Sequence, residues 1–295
     1  MRTNLGIVTK GIGGFYFVDN GSEVFRTRGR GVLKRNKALI IVGDEVEFTP
    51  PEPGEDDGVI TKVLPRKNSF DRPPVSNIDK MIILFSLKNP EPNLEVIDRL
   101  LIMAESKGIE PAICINKIDL DDGGSAEKYL KIYSPIYPTI LTSCISELND
   151  EGIEEIKKHI SGKRVALAGP SGVGKSSLTN RIIPEAEMET GEISDKTQRG
   201  KHTTRHVEIF RVEDGYLFDT PGFTSFDLSG IEEMELQDYM PEIHKASVNC
   251  KFRDCFHIKE PECGVRDALE NGDISESRYN SYLSALKEIR DQRKY

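Results

Sequence analysis

The octapeptide GPSGVGKS at residues 169–176 fits G-x-x-x-x-G-K-[ST], and it stands between the apolar run RVALA and the apolar-periodic SSLTNRII. A strand, a glycine turn and a helix start in that order make a cradle in which backbone N–H groups close around phosphate oxygens at a helix N-terminus. Lys175 adds a point charge for the outer phosphates, and the Ser176 hydroxyl is placed to ligate Mg²⁺. Gly169, Pro170, Ser171, Gly172, Val173, Gly174, Lys175, Ser176 and Ser177 are therefore the expected phosphate-binding residues. Such a turn needs a buried parallel sheet around it, and from residue 80 continuous apolar runs do alternate with helical patterns. The predicted strands are MIILFS, PAICIN, YPTILTS, RVALAG, HVEIFRV and GYLFDT. PNLEVIDRLLIMAESKG is predicted as a helix with Leu94, Ile97, Leu101 and Ala104 on one face, capped by Gly108. Asp150 is predicted to cap the helix EGIEEIKKHI. A doubly wound α/β domain of roughly 160 residues follows.

Three further peptides complete a nucleotide site. DTPG at 219–222 ends the apolar strand GYLFD, which places the Asp219 carboxylate near the metal and a Gly222 N–H where a γ-phosphate would lie. AICINKIDLDD at 112–122 closes an apolar run on Asn-Lys-Ile-Asp, the peptide GTP-binding proteins use for the base: Asn116, Lys117, Ile118 and Asp119. In that pattern Asp119 accepts two hydrogen bonds from guanine's N1–H and 2-amino group, Asn116 reaches the far edge and the Lys117 stem covers the ring. Adenine would leave the carboxylate unpaired, a penalty that reaches several kcal/mol, roughly, when buried. TSC at 142–144 also ends a strand, and Ser143 and Cys144 are placed to offer N–H groups to the guanine carbonyl. Between the phosphate loop and DTPG, SDKTQRGKHTTRH has the composition of a switch, with Thr203 or Thr204 closing over the γ-phosphate and Mg²⁺. Ser176, Thr203, Thr204 and Asp219 are the magnesium candidates. The base-reading peptide precedes the phosphate loop, whereas an ordinary small GTPase has the two in the opposite order.

The flanks differ in grammar. Residues 1–66 carry short alternating segments separated by Gly, Asn and Asp turns, which suggests a small β-barrel, and NSFDRPPVSNID then reads as a linker. The formal charge of −9 argues against a chain coated with nucleic-acid-binding surface. Yet residues 22–37 carry Arg26, Arg28, Arg30, Lys34, Arg35 and Lys37 against the single Glu23, compatible with a localised phosphate contact or with a solvated barrel face. After residue 227 the chain turns polar and helical. Cys250, Cys255, His257 and Cys263 form C-x4-C-x-H-x5-C, and three thiolates with one imidazole suit a closed tetrahedral Zn²⁺ of structural purpose. His244 is a spare, and Cys114 reads as core. The Tyr and Leu stripe of ESRYNSYLSALKEIRDQRK reads as packing. No secretory leader or membrane-length apolar run is evident, so a cytosolic location without membrane contact is expected.

The order NKxD, TSC, GxxxxGKS, Thr pair, DTPG, between a strand-rich N-terminal piece and a Cys/His cluster, resembles over nearly the whole length the circularly permuted GTPases of small-ribosomal-subunit biogenesis called RsgA, YjeQ or YloQ. The resemblance implies an OB-fold barrel (1–66), a permuted α/β P-loop G domain (67–227) and a zinc-binding helical domain (228–295). It implies GTP as substrate, GDP and phosphate as products, and one structural Zn²⁺ with Mg²⁺ on the nucleotide. It also implies the 30S subunit and its 16S rRNA as partners, with hydrolysis stimulated by the subunit; a monomer is expected. Many GTPases place Gln after the DxxG glycine to orient water, and this chain has Phe223 there. His202, beside the Thr pair, is the replacement candidate, so His202, Lys175 and Thr204 form the expected catalytic set. Two other classes compete: a GTP-gated binding switch with incidental turnover, and an ATP-using P-loop kinase, against which NKID weighs heavily.

Overall fold

The computed structural model describes residues 4–31, 39–143, 150–184, 207–219, 228 and 230–292. Two compact units emerge, one formed by Met1–Lys80, Ile156–Leu167 and Ser176–Phe223, the other by Met81–Glu155, Ala168–Lys175 and Thr224–Tyr295.

The first unit begins with five strands, β1 (Asn4–Ile12), β2 (Phe15–Asp19), β3 (Val24–Gly29), β4 (Glu45–Thr49) and β5 (Gly58–Val63). They run in the order β1-β2-β3-β5-β4, and β4 pairs back onto β1, so the sheet closes into a barrel. Alternation explains the closure: Val46 and Phe48 on β4 point inward between half-buried neighbours and meet Val8, Val18, Ile40 and Ile60. NSFDRPPVSNID, read above as a linker, instead folds into a hairpin of β6 (Ser69–Asp71) and β7 (Pro74–Ser76). Its prolines lie at the turn, and asparagine side chains replace missing ladder bonds: Asn68 Nδ2 donates to the Ile78 carbonyl at 2.8 Å, and Asn68 Oδ1 accepts from Ile78 N at 3.0 Å. Later strands complete this unit. β11 (Arg164–Ala168) runs parallel to β13 (Gly215–Asp219), and β12 (Glu208–Val212) lies antiparallel to β13. β1 then pairs with β12 at Lys10 and Glu208, whose side chains form an ion pair at 2.5 Å.

In the second unit β8 (Lys80–Ser86), β9 (Glu110–Asn116) and β10 (Thr139–Leu141) lie side by side, β9 and β10 parallel. Every residue of β8 and all but the first of β9 are buried, as continuous apolar runs require. Helix α1 (Leu94–Ser106) starts at Asn93, whose side chain accepts from Val96 N at 3.3 Å, and stops before Gly108, which adopts φ +64°. Of its predicted apolar face Ile97, Leu101 and Ala104 are buried and Leu94 is half-buried, and one polar residue, Asp98, is buried with them. α2 (Ser125–Tyr133), α3 (Asp150–Ile160) and α4 (Lys175–Ile182) follow along the chain. Asp150 is the first residue of α3, one position inside the predicted cap. The C-terminal part holds a 3₁₀ turn (Leu236–Tyr239), α5 (Pro241–Ser247), α6 (Gly264–Glu270) and α7 (Glu276–Gln292). They enclose a core of Leu236, Met240, Ile243, Val265, Tyr282, Leu286 and Ile289 that takes in Ile102 of α1. Among the described residues no helix is long and apolar enough to cross a membrane.

Candidate functional site

The base-reading peptide and the phosphate loop, about fifty residues apart and in rotated order, meet within the second unit. Asn116 is the last residue of β9, 4% exposed, and its Nδ2 donates to the Val173 carbonyl at 2.9 Å. Lys117 next adopts the left-handed conformation, φ +60° and ψ +38°, which costs a non-glycine residue roughly 1 kcal/mol or more and persists only where its surroundings hold it. The hold is visible: Lys117 Nζ donates to the Gly172 carbonyl at 2.9 Å and to that of Asn89. Ile118 and Asp119 follow in a short 3₁₀ turn. Ser143 Oγ donates to Asp119 Oδ1 at 2.6 Å, so the carboxylate that would read guanine is already oriented.

The phosphate loop is shaped by what its glycines permit. Gly169 has φ +146°, and a Cβ there would run into the Leu84 carbonyl. Gly174 has φ +103°, and a Cβ there would displace the Asn116 amide, so this glycine lets the loop and the end of β9 approach each other. Pro170 and Gly172 lie on the same loop, Ser171 is exposed, and Val173 is buried beneath it. Lys175 opens α4, with Ser176 and Ser177 in the same first turn. Its ammonium donates to the Gly169 and Pro170 carbonyls at 2.7 Å each, and burial draws its pKa down from 10.5 to about 8. Asp219 ends β13 as predicted. Cys144, His202, Thr203, Thr204 and Gly222 lie outside the described residues, as does Phe223.

One residue of the site carries no motif of its own. Thr142, fully buried, donates from Oγ1 to Asn116 Oδ1 at 2.9 Å, while its main chain accepts from Ile118 N and donates to the Ile115 carbonyl. Since that hydroxyl proton goes to Asn116, the Cys114 thiol, 3.4 Å away, is the donor to Thr142. Burial pushes the Cys114 thiol up to about 12, which makes it an inert packing group. Position next to Ser143 at a strand end was the available signal, and its side-chain role was not readable from it.

The four predicted metal ligands also converge in the second unit. Cys250, Cys255 and Cys263 Sγ and one ring nitrogen of His257 all lie within 4.8 Å of one another. Tetrahedral Zn²⁺ with Zn–S of about 2.3 Å and Zn–N of about 2.05 Å requires S–S edges of about 3.8 Å and S–N edges of about 3.6 Å. The observed edges are 3.9 Å for Cys250–Cys263, 3.7 Å for Cys255–Cys263, and 3.5 and 3.4 Å from His257 Nδ1 to Cys250 and Cys263. The donor set therefore fits zinc in both chemistry and size. Burial lowers the His257 pKa and keeps the imidazole neutral, the form that ligates. His244 is elsewhere, bonded to Asp238 at 2.8 Å.

On the barrel, Arg26 and Arg28 project from β3 over the Phe15 ring, 5.2 and 4.4 Å from its centroid. Both engage the Asp57 carboxylate, Arg28 at 2.9 Å, which cancels part of the positive field expected there. Arg30 is exposed. Lys34 and Arg35 lie outside the described residues.

Comparison with known proteins agrees with this geometry. A family model described as RsgA GTPase matches residues 63–229, and one described as RsgA N-terminal domain matches residues 5–60. The small ribosomal subunit biogenesis GTPase RsgA of Alkaliphilus metalliredigens is 44% identical over 293 residues, 98% of this chain and 99% of the relative. Its counterpart from Geobacillus thermodenitrificans is 43% identical, covering 98% of each. Among solved structures, YloQ, described as a circularly permuted GTPase, superposes with a TM-score of 0.83 at 35% identity, covering 99% of this chain and 96% of that one. YjeQ from Thermotoga maritima gives 0.83 at 36% identity, covering 98% and 99%.

Proposed function

Because the chain belongs to the RsgA GTPase family, we propose that it binds the 30S ribosomal subunit and hydrolyses GTP to GDP and phosphate as a step in late subunit maturation. The observation that carries this is the bond from the Asn116 amide to the Val173 carbonyl, which locks base recognition to phosphate recognition. Asp119, oriented by Ser143, pairs with guanine's N1–H and 2-amino group; adenine would strand that carboxylate. The N–H groups of Gly172, Gly174 and Lys175 face the phosphates, and the Lys175 ammonium exchanges its loop carbonyls for phosphate oxygens. Ser176 and Asp219, with Thr203 or Thr204, would hold Mg²⁺, which when bound neutralises the β- and γ-phosphate charge. Gly222 N–H meets the γ-phosphate and His202 orients the attacking water, in place of the glutamine that Phe223 displaces.

In this proposal the domains are 1–66, 67–227 and 228–295. The barrel, through Arg26, Arg28, Arg30, Lys34 and Arg35, and the zinc domain dock on 16S rRNA, and the protein acts as a cytoplasmic monomer. The zinc cluster has four ligands and no open position, so its part is to fasten the C-terminal core. Phe223 also favours a second reading, a GTP-gated binding switch whose turnover is incidental. GTP turnover titrated with purified 30S subunits decides between them. Stimulation that saturates with 30S and vanishes in Asp119→Ala is expected; turnover indifferent to the subunit would overturn the hydrolase proposal and leave the switch.

A further inference from the structure

The zinc cluster has one contact that its ligand set does not account for. His257 presents Nδ1 to the sulfurs of Cys250 and Cys263, at 3.5 and 3.4 Å, and its opposite nitrogen, Nε2, lies 3.0 Å from Gln237 Oε1. The ring is fully buried. An amide oxygen only accepts, so Nε2 carries the proton in this arrangement and Nδ1 the lone pair. The flipped amide, donating to Nε2, would force the proton onto Nδ1 and remove the ligand.

The rest of the loop is pinned without Gln237. Tyr279 OH donates to the His257 carbonyl at 2.6 Å. Glu260 accepts from Phe256 N at 3.1 Å and from Ile258 N at 2.8 Å. These bonds fix the backbone of His257, which holds φ +60°, but leave the tilt and tautomer of the ring open. Gln237 closes those two freedoms. It is placed to do so by the 3₁₀ turn whose Leu236 is buried in the same core as Cys255 and Cys263.

We propose that Gln237 is the positioning residue of the zinc centre, selecting Nδ1 of His257 as the ligand and holding the ring in the tetrahedral direction. This rests on the cluster being a zinc site. The same arrangement recurs in metalloproteins whose ligating histidines hand their second N–H to an oxygen acceptor. The consequence is that the metal centre is fastened to the 3₁₀ turn Leu236–Tyr239, through a residue twenty positions before His257.

Two substitutions in the full-length chain test it. Gln237→Leu removes the acceptor and keeps the volume; zinc affinity, measured by competition with a chromophoric chelator, should fall about 10- to 100-fold. The Co²⁺-substituted protein should then show altered d–d bands with its thiolate charge-transfer bands retained. Gln237→Glu keeps an obligate acceptor in the same place, so zinc affinity should match or exceed the wild type. A role in packing alone gives the opposite order, with Leu tolerated and a buried carboxylate damaging. Wild-type affinity in Gln237→Leu, or a loss in Gln237→Glu as large as in Gln237→Leu, overturns the proposal. A wild-type chain that takes up no stoichiometric zinc would instead remove the zinc reading itself. GDP binding, measured on the same samples, reports whether each variant is folded.

Discussion

Arg278, on α7, offers the severest test of how the C-terminal helices are held to α1. The side chain is 1% exposed; its Nη1 meets Asp98 Oδ1 at 2.7 Å and its Nε meets Glu242 Oε1 at 2.6 Å. Tyr133 OH donates to the same Asp98 oxygen at 2.9 Å, and the guanidinium lies over the Tyr133 and Tyr137 rings at 6.0 and 5.8 Å. Replacing Arg278 by Met fills similar space and strands two carboxylates in a dry interior, an event that costs about 3–5 kcal/mol. The second unit is near the size at which 1 kcal/mol moves the melting temperature by roughly 2–4 °C, so a fall of roughly 6–20 °C is expected in thermal melts followed by circular dichroism. The triple variant Arg278→Met, Asp98→Leu, Glu242→Met replaces the charges by apolar bulk and should recover most of the loss, because a buried ion pair contributes little beyond its own desolvation cost. A single variant that loses less than about 1 kcal/mol, or a triple variant no more stable than the single, would refute this account.

Two further outcomes follow from the nucleotide site. Lys175 is charged both free and bound below pH about 8, so affinity for GTP should be flat there; above it the free protein gives up the proton that the phosphates require. Binding should then take up protons and weaken by up to about tenfold per pH unit, and calorimetry in two buffers of different ionisation enthalpy measures that uptake directly. An uptake of zero at pH 9 would contradict the burial argument. Thr142→Val keeps shape but removes the donor to Asn116 Oδ1, and GDP affinity should drop about 5- to 30-fold by the roughly 1–2 kcal/mol of an unmade buried hydrogen bond. Unchanged affinity would show that Asn116 needs no such support.

What the chain disclosed in one dimension was the part that geometry repeats. Glycines at 169, 172 and 174 are demanded by positive φ, so the phosphate loop could be read letter by letter. The strands flanking it are apolar on both faces, and their positions were legible within about two residues. The convergence of Cys250, Cys255, His257 and Cys263 was legible from side-chain type and spacing. Thr142, Gln237 and Arg278 were not, since each acts through one partner set by tertiary packing, and a threonine, glutamine or arginine in an amphipathic stretch carries no mark of it. The hairpin at 69–76 was missed because prolines argue for a linker, and the asparagine bonds that compensate for them join residues ten positions apart.

The pairing of β1 has a consequence for how the molecule comes into being. One edge of β1 is taken by β2; the other is shared, with β4 along residues 4–7 and β12 at Lys10. The barrel's own partners are complete within the first quarter of the chain, so it can close while the rest is still being synthesised, whereas Lys10 waits for a glutamate 198 positions later. Until Glu208 emerges, the far end of that strand is an unprotected sticky margin on a nascent polypeptide, and the cationic Lys10 is the kind of residue that keeps such a margin from recruiting a stranger.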